Sequence, residues 1–528
     1  MQILELEIDN YKCLMDFEIK FEKNDSGSST VLIGENGTGK SSMLEAILRI
    51  LASFDSSVVA KERNFNFYLK YFYAGEFIIV KKEESTYSLS IEGSNYNITG
   101  SLANLKRKLK KDRKDLFPKR VIIFYSGTQN NLLPVYRKLD IYHIRKCRNT
   151  ITNYINFISS KSVDETFEVD FPDRKYNYCF NSMTPIYLAS ILLDISEETY
   201  ERELLVNNGR FMKIESIDIV INLEKLNHIF TNDDKIDVPE RFWDILQFIE
   251  GSFVDLFRSS LLFRNNNKVY FALNKLDGLE MDRISIFNAF EKLSILFDAQ
   301  FDVTVKYGES AVRVSELSEG QQQLIRMLGM IGLFKHEDSF VIMDEPDAHM
   351  NPKWKYDLKN IIDECLKDAT NTQALIATHD PLVINGVDKG FVRIFNSGMI
   401  SGSYRTIVNS PNEDTKGMGI DGLLQSEYYG LQTSYDKDTS EKYIRRNELY
   451  INLINDNITE EEKEELRKLT KELGSLPSSN NTIDFLYNDF IKEYKSTEYY
   501  TKKYLTFDEV ESRRDQIKKI INKLFEGK

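Results

Sequence analysis

The chain has 528 residues, of which 41% are hydrophobic and 29% charged, and its formal net charge is −13. The length exceeds that of a usual single hydrophobic core, so we expect two or three domains, and a membrane-spanning helix is excluded because no run of about 18 apolar residues occurs. The acidic balance argues against a protein that coats nucleic acid over its whole surface, although it leaves room for a local basic stripe.

The N-terminal segment, residues 2–22, alternates apolar and polar side chains and is interrupted at residues 9–12, which predicts two β-strands. No basic signal region precedes this pattern, so secretion is not expected. The four cysteines are scattered without a Cys-x-x-Cys spacing, which makes a disulfide framework and a structural zinc site poor candidates. We therefore expect a cytoplasmic protein.

A glycine-rich loop follows an apolar strand and opens a helix in residues 31–42, which read VLIGENGTGKSS. The spacing from Gly34 to Ser41, Gly-x-x-x-x-Gly-Lys-Ser, is that of a phosphate-binding loop. Backbone N–H groups and the positive end of the helix dipole bind phosphate oxygens, the lysine reaches the β- and γ-phosphates, and the serine hydroxyl binds Mg²⁺. We predict a nucleoside triphosphate site that contains Asn36, Gly37, Thr38, Gly39, Lys40, Ser41 and Ser42.

Strand-like runs at residues 71–80 and 87–91 complete what we predict to be an antiparallel half-sheet. The most basic stretch of the chain follows at residues 105–120, which contain nine lysine and arginine residues. Two interpretations stay open: the solvated face of a surface helix, or a patch that contacts the phosphates of DNA or RNA. A buried strand at residues 121–125 and a polar turn that includes Gln129 come next.

Residues 140–300 contain no catalytic motif that we can recognise. Helical patterns alternate there with short strands, and no sustained heptad repeat is present, which excludes a long coiled-coil arm. We predict an inserted, mainly helical domain with helices at residues 141–158, 185–193 and 239–259 and strands at residues 217–223 and 269–273.

Polar residues follow two buried strands later in the chain. The apolar run Phe-Val-Ile-Met ends in Asp344 and Glu345, and the run Ala-Leu-Ile-Ala ends shortly before His379. In a parallel sheet the carboxyl ends of neighbouring strands meet and carry the ligand residues. Asp344 is predicted to hold Mg²⁺ together with Ser41. Glu345 is predicted to polarise the attacking water, and His379 to sense the γ-phosphate.

Four segments, in this order, resemble the motifs of ABC-type ATPases: residues 34–42 the Walker A motif, residues 317–322 the signature, residues 344–347 the Walker B motif with its D-loop, and His379 the H-loop. The signature reads Leu-Ser-Glu-Gly-Gln, and residues 344–352 read DEPDAHMNP, which is similar to the RecF/SMC/OLD-like branch rather than to transporters. The resemblance implies an α/β fold, with ATP and Mg²⁺ as ligands. It also implies an ABC-ATPase head that combines an antiparallel half-sheet with a parallel P-loop sheet and flanking helices.

The resemblance implies further contacts as well. The segment Ile-Asp-Asn-Tyr-Lys looks like the branch's aromatic-basic turn, which places Lys12 at the nucleotide, although Arg is usual at that position. A second departure from the family pattern is Asn351, at a position where a second His is common. Gln129 is a candidate for the Q-loop glutamine. In this superfamily the signature of one subunit completes the site of another, so we expect a homodimer or a higher homo-oligomer with ATP between the heads. The signature residues are Ser318, Gly320 and Gln321.

Residues 417–424 and 428–433 resemble the post-ATPase segment of bacterial defence ATPases, the PtuA family of Septu-type and retron-linked anti-phage systems. Those ATPases work with a separately encoded HNH nuclease, PtuB, so such a partner is implied here. Residues 436–438, Asp-Lys-Asp, carry the letters of a TOPRIM metal site but lack a preceding apolar strand and a paired glutamate, so we interpret them as a helix-capping turn. Because the five histidines are dispersed, no HNH site is expected in this chain.

The remaining residues are charged and helical in pattern, at residues 441–455, 459–473, 483–494 and 507–525. One apolar face, which includes Leu449, either packs internally or docks a partner. We predict four parts: residues 1–135, the ATPase N-lobe with Walker A; residues 136–305, the insertion; residues 306–410, the ATPase C-lobe with the other motifs; and residues 411–528, a helical C-terminal domain.

The function that this pattern favours is an ATP-hydrolysing sensor subunit of an anti-phage complex, which gates a separate HNH nuclease through ATP-dependent head-to-tail association. The main alternative is a RecF/SMC-like repair ATPase that acts directly on DNA. A transporter nucleotide-binding subunit would lack the charged tail. A regulatory protein that holds ATP without hydrolysing it tends to lose the carboxylate that stands here at Glu345.

Overall fold

The computed structural model describes most of the chain, namely residues 1–24, 27–55, 65–112, 115–126, 131–159, 171–193, 199–207, 211–222, 240–265, 268–274, 276, 282–336, 338–369, 372–400, 403–431, 435–454, 458–474, 516–517 and 519. The chain forms two compact units, Met1–Gly430 and Leu431–Lys528. The predicted four-part division stays a prediction.

The secondary-structure elements are numbered along the chain. The β-strands are β1 (Gln2–Tyr11), β2 (Leu14–Lys20), β3 (Ser28–Gly34), β4 (Phe67–Tyr73), β5 (Glu76–Glu83), β6 (Thr86–Ile91), β7 (Asn97–Gly100), β8 (Arg120–Tyr125), β9 (Tyr176–Tyr178), β10 (Phe211–Asn222), β11 (Leu261–Asn265), β12 (Lys268–Leu273), β13 (Gln300–Tyr307), β14 (Ser310–Arg313), β15 (Ser339–Asp344), β16 (Gln373–Ala377), β17 (Val392–Ile400) and β18 (Ser403–Asn409). The α-helices are α1 (Lys40–Asp55), α2 (Leu102–Asp112), α3 (Leu133–Ser159), α4 (Thr184–Leu193), α5 (Tyr200–Asn207), α6 (Glu240–Glu250), α7 (Ser252–Arg258), α8 (Arg283–Phe297), α9 (Glu319–Phe334), α10 (Pro352–Leu366), α11 (Gly419–Gln425), α12 (Lys437–Ile454) and α13 (Glu460–Gly474).

Six antiparallel strands form the first sheet, in the order β2-β1-β4-β5-β6-β7. Every second residue of β4 is buried, because successive side chains of a strand point to opposite faces. The predicted antiparallel half-sheet is confirmed. The run at residues 71–80 is not one strand, however, because Ala74 and Gly75, with φ of 51° and 83°, turn the chain back between β4 and β5. Two consecutive residues with positive φ are typical of a tight hairpin turn.

Seven strands form the second sheet, in the order β18-β17-β3-β16-β15-β8-β9, and all neighbours are parallel except β17 and β18. Leu32 of β3 and Ile342 of β15 face a core that also contains α1 and the first sheet. The next residues on each strand face the opposite core, which contains α9 and the inserted segment. The sheet therefore separates the helix after the phosphate loop from the helix that begins in the signature, and the predicted fold class is confirmed.

The inserted segment contains a third sheet, which is antiparallel and has the order β11-β12-β10-β13-β14. The strands predicted at residues 217–223 and 269–273 lie in β10 and β12, whereas β11, β13 and β14 were not predicted. Helices still occupy more of the described insertion than strands do. The helix predicted at residues 239–259 is two helices, α6 and α7, which meet at Gly251.

The unit Leu431–Lys528 contains the helices α12 and α13. Leu449 of α12 is buried, as is Leu466 of α13, and the Arg445 guanidinium donates to both carboxylate oxygens of Glu465 at 3.1 and 3.0 Å. The Asp436 carboxylate accepts from the Thr439 N–H at 3.1 Å, so the Asp-Lys-Asp segment caps a helix, as predicted. The helices predicted at residues 483–494 and 507–525 lie outside the described residues, apart from residues 516, 517 and 519.

None of the helices in the described ranges is both long enough and apolar enough to cross a membrane.

Candidate nucleotide-binding site

Three parallel strands bring the predicted site residues to one edge of the second sheet. Asp344 at the end of β15 pairs with Ala377 at the end of β16, and Ala377 in turn pairs with Leu32 of β3. The Glu345 N–H donates to the Ala377 carbonyl at 2.8 Å, which fixes the residue after β15 against the neighbouring strand. His379 follows Ala377 at the same edge, where a parallel sheet carries its ligands.

The phosphate loop turns into α1 through glycines. Gly37 and Gly39 have φ of 86° and 104°, a region that side chains with a Cβ rarely adopt. A Cβ on Gly39 would lie 2.8 Å from the Thr406 hydroxyl oxygen. That hydroxyl donates to the Thr38 carbonyl at 2.9 Å and so holds the loop against β18. The loop therefore has the geometry in which backbone N–H groups and a helix N-terminus bind phosphate.

Lys40 lies beneath this loop. Its ammonium group donates to the Gly34 carbonyl at 2.6 Å and to the Glu35 carbonyl at 3.0 Å. The side chain is largely buried, and burial lowers the pKa of Lys40, an effect that the Asp344 carboxylate partly offsets. A largely buried cation beneath a phosphate loop is suited to an anionic ligand such as a triphosphate.

Ser41 and Asp344 form the predicted metal site. The Ser41 hydroxyl donates to the Asp344 carboxylate at 3.0 Å. Burial raises the pKa of Asp344 to about 6, and the neighbouring Glu345 charge adds to the rise, while the hydrogen bond from Ser41 opposes it. A carboxylate and a hydroxyl are the hard oxygen donors that Mg²⁺ prefers, so these residues fit that ion. A bound cation would favour the ionised carboxylate and lower its pKa.

The two predicted catalytic side chains lie next to each other. His379 Nδ1 is 3.3 Å from the Glu345 carboxylate, and the side chains are 55% and 35% exposed, so water can reach both. Glu345 has φ of 52°, an uncommon backbone conformation for a residue other than glycine, and such strain concentrates at functional sites.

Ser126 and Gln323 support the catalytic segment and were not predicted. The Ser126 hydroxyl donates to the Glu345 carbonyl. The buried Gln323 amide, on α9, donates to Ser126 Oγ at 3.1 Å and to the Pro346 carbonyl. The strand-end argument could have found Ser126, because it directly follows β8, the other neighbour of β15. No sequence signal singles out Gln323, and Gln129 lies outside the described residues.

The predicted signature residues occupy the N-terminus of α9. The Ser318 hydroxyl accepts from the Gln321 N–H at 3.4 Å, and the Gln321 side chain accepts from the Ser318 N–H at 3.1 Å, which is a capping box. A Cβ on Gly320 would lie only 2.7 Å from the His349 carbonyl oxygen, so the start of this helix touches the D-loop directly. A helix N-terminus favours an anion through its N–H groups and its dipole.

Lys12 is placed in the turn between β1 and β2. Its ammonium group forms an ion pair with the buried Glu45 of α1, and Glu45 also accepts from Arg49 Nε at 2.9 Å. The nucleotide contact of Lys12 stays a prediction. Cys13, in the same turn, places its sulfur 3.6 Å from the Ser42 hydroxyl, a contact with the phosphate loop that was not predicted.

Comparison with known proteins adds to this geometry. The profile of the AAA ATPase domain family matches residues 1–384. The chain is similar to the Septu protein PtuA of Bacillus mycoides (strain KBAB4), with 24% identity over 515 residues that cover 95% of this chain and 54% of that protein. It is also similar to the Retron Vc95 probable ATPase of Vibrio cholerae serotype O1 biovar El Tor, with 20% identity over 431 residues that cover 77% of this chain and 75% of that protein. The resemblance predicted from the motifs is thereby confirmed, although the chain spans only about half the length of PtuA.

Solved structures of SMC heads are similar at low identity. The SmcHead bound to the C-winged helix domain of ScpA is 13% identical, with a TM-score of 0.34, and the match covers 78% of this chain and 98% of that chain. The SMC head domain from Thermotoga maritima is 13% identical, with a TM-score of 0.32, and the match covers 78% of this chain and 100% of that chain. The fold described above rests on the strand order of this chain itself.

Proposed function

The chain belongs to the AAA ATPase domain family, and from this premise we propose that it binds ATP with Mg²⁺ and hydrolyses the γ-phosphate at the carboxyl edge of the second sheet. The observation that carries the proposal is the meeting of Lys40, the Ser41–Asp344 pair and the Glu345–His379 pair on adjacent strand ends. Steady-state ATP turnover by the purified chain, measured with and without Mg²⁺, tests this proposal.

Each side chain has a distinct task in this proposal. Lys40 places a positive charge on the β- and γ-phosphates. The Glu345 carboxylate accepts the proton of the attacking water, and His379 beside it contacts the γ-phosphate. Ser41 and Asp344 would hold Mg²⁺, which when bound neutralises charge on the phosphate oxygens.

A second copy of the chain completes the site in the proposed enzyme. The helix start at Ser318 and Gly320 presents the positive end of its dipole to an anion, and it lies against the His349 carbonyl of its own chain. In such a pair the signature of one copy faces the phosphate loop of the other. The charge of the bound γ-phosphate then holds the two heads together, and hydrolysis releases them. We therefore expect a head-to-tail homodimer, or a higher homo-oligomer built from such pairs.

The biological role that we propose is the sensor and regulatory subunit of an anti-phage defence complex in the cytoplasm. The names of the two relatives, a Septu protein and a retron ATPase, support this role. The effector in the proposal is a separately encoded HNH-type nuclease, whose activity depends on the ATP-controlled association of the heads. The chain itself is proposed to carry no nuclease.

Truncation tests where that nuclease binds. Deleting residues 436–528 is expected to abolish co-purification with an HNH nuclease encoded next to this gene. ATP binding is expected to survive, because every predicted site residue lies in the unit Met1–Gly430. The measurement is pull-down of the co-expressed nuclease, with ATP affinity of the same preparations as the folding control. A truncated chain that binds ATP and still retains the nuclease would contradict docking through the tail.

The alternative function is a repair ATPase that acts directly on DNA, and α2 is the observation that favours it. Leu105 and Leu109 anchor this helix in the core. On its other faces it exposes Arg107, Lys108, Lys110 and Lys111. Lys119 and Arg120 do not belong to this surface, because Lys119 lies 3.6 Å from an Asp338 oxygen and Arg120 is buried. Four exposed cations on one short helix can contact phosphates and release counterions.

If α2 contacts DNA, removing its exposed charges should weaken DNA binding equally for all DNA sequences. The variant neutralises four residues together: Arg107, Lys108, Lys110 and Lys111. The logarithm of the DNA-binding constant falls linearly with the logarithm of the salt concentration. The slope of that line should become shallower by up to about four units, at roughly 0.9 per lost phosphate contact. A matched control removes the same charge from exposed lysines elsewhere, Lys81, Lys306, Lys367 and Lys416. An unchanged affinity and slope would identify α2 as a solvated helix and would remove this support for direct action on DNA.

A further inference from the structure

A cavity of about 280 Å³ opens in the inserted segment, away from the phosphate loop, between α3, β9 and α8. Aromatic rings form two of its walls: Tyr136, Tyr178 and Phe180 cluster on one side, with ring centroids 4.7–5.6 Å apart. On the other side Tyr187 stacks on Phe287 at 5.4 Å. The cavity is slightly smaller than the sites of drug-sized ligands. The rings of Tyr136, Tyr187 and Phe287 are packed with only 1–2% of their surface exposed, whereas Phe180 is partly exposed and offers a face to a planar ring.

The interior of the cavity is polar and rich in acceptors. The Arg174 guanidinium lies 2.6 Å from an Asp140 oxygen and 2.7 Å from Glu291 Oε1, so two carboxylates surround one buried cation. Glu291 meets Arg174 through Oε1, and within the described part of the chain no hydrogen bond or ion pair engages its Oε2. A buried carboxylate with an oxygen to spare accepts hydrogen bonds from N–H donors of a ligand.

A cation stands at the mouth of the same cavity. Arg148 of α3 is exposed and lines the opening. A guanidinium binds phosphate through two parallel hydrogen bonds. The cavity thus presents one partly exposed aromatic ring, an acidic interior, and a phosphate-binding group at the solvent end.

From this arrangement we propose that the cavity binds a nucleoside monophosphate whose base carries an amino group. The base lies against Phe180 with its amino group toward Glu291, and the phosphate lies at Arg148. The ligand would be an effector distinct from the ATP of the phosphate loop.

Tyr187 connects this site with the signature helix. Its ring lines the cavity, and a Cβ on Gly329 of α9 would lie 2.5 Å from the Tyr187 Cβ, so α4 and α9 are in direct contact. On the same helix pair, Arg326 donates to the Thr184 hydroxyl at 3.1 Å. A ligand in this cavity therefore lies beside the contact of α4 with α9 and acts on it through Tyr187. The first residues of α9 are proposed to complete the partner's ATP site. This regulatory part rests on the proposed function.

Binding is measured by calorimetric titration of the full chain that carries Lys40→Ala, so that the phosphate loop does not contribute. CMP and UMP are the probes, because they differ at the exocyclic position where only CMP has an amino group. CMP should bind saturably, and UMP at least about tenfold more weakly, as expected for the loss of one hydrogen bond to a buried charge. Adding Arg148→Ser should weaken CMP binding about 10- to 100-fold. The matched control is Arg145→Ser, an exposed arginine of the same helix that does not line the cavity, and it should have no effect.

The site is refuted if CMP does not bind, if UMP binds as tightly as CMP, or if Arg148→Ser behaves like Arg145→Ser while both variants unfold at the same temperature. The regulatory part is measured separately, in the chain with Lys40 intact. Saturating CMP should change the ATP turnover, and Arg148→Ser should require about 10- to 100-fold more CMP for the same change. Turnover that is unaffected by bound CMP would overturn the regulatory part, and an absence of any turnover would instead count against the proposed ATPase.

Discussion

Replacing Glu345 with Gln should slow ATP turnover by about 10²-fold or more, since a positioned general base contributes about 10²- to 10⁴-fold. Gln keeps the shape of the side chain but cannot accept the proton of the attacking water. ATP and Mg²⁺ binding should stay intact, because Lys40, Ser41 and Asp344 are unchanged, so the variant should accumulate ATP-bound pairs. The measurements are steady-state turnover and nucleotide affinity.

Two companion variants make this result interpretable. Glu364→Gln changes a half-exposed glutamate of α10 that pairs with Lys367, and it should leave turnover unchanged. Lys40→Ala should instead abolish ATP binding, because it removes the charge on the β- and γ-phosphates. Turnover by Glu345→Gln at the wild-type rate would refute the role of this carboxylate, and wild-type affinity in Lys40→Ala would refute the phosphate loop itself.

Replacing Ser318 with Arg should abolish hydrolysis while the chain folds and binds ATP in its own phosphate loop. The substitution is at an exposed helix cap, so the cost to stability is about 1 kcal/mol. A bulky cation at that position would occupy the place of the partner's γ-phosphate. Ser310→Arg, which adds the same side chain at an exposed position of β14, is the control and should hydrolyse ATP normally. Normal turnover by Ser318→Arg would contradict a site shared between two copies.

The strand ends and the phosphate loop could be predicted from the sequence because their signals are local. Val31, Leu32 and Ile33 are all buried, and an unbroken apolar run of that length followed by glycines leaves few alternatives to a central parallel strand. The same holds for β15, whose six residues are all buried, so Asp344 and Glu345 could be placed at a sheet edge without coordinates.

Contacts between residues that lie far apart in the chain could not be predicted in this way. Lys12 has the residue type of a nucleotide contact, but its charge is engaged by Glu45, 33 positions away. Gln323 reaches Ser126 across 197 positions, and nothing in the pattern distinguishes the last of three consecutive glutamines as the one that makes this contact. The third sheet was only partly predicted, because short strands such as β14, with four residues, carry too few alternating positions to be distinguished from loops.

Mixing two inactive variants tests most directly the central claim, that ATP is hydrolysed in a site built from two copies of the chain. Ser318→Arg keeps an intact phosphate loop, and Lys40→Ala keeps an intact signature, so one of the two sites in a mixed pair contains only wild-type groups. The measurement is steady-state ATP turnover of each variant alone and of the equimolar mixture. We expect neither variant alone to hydrolyse ATP and the mixture to recover a substantial part of the wild-type rate. A mixture that stays inactive, although the two chains are shown to associate, would contradict catalysis between subunits.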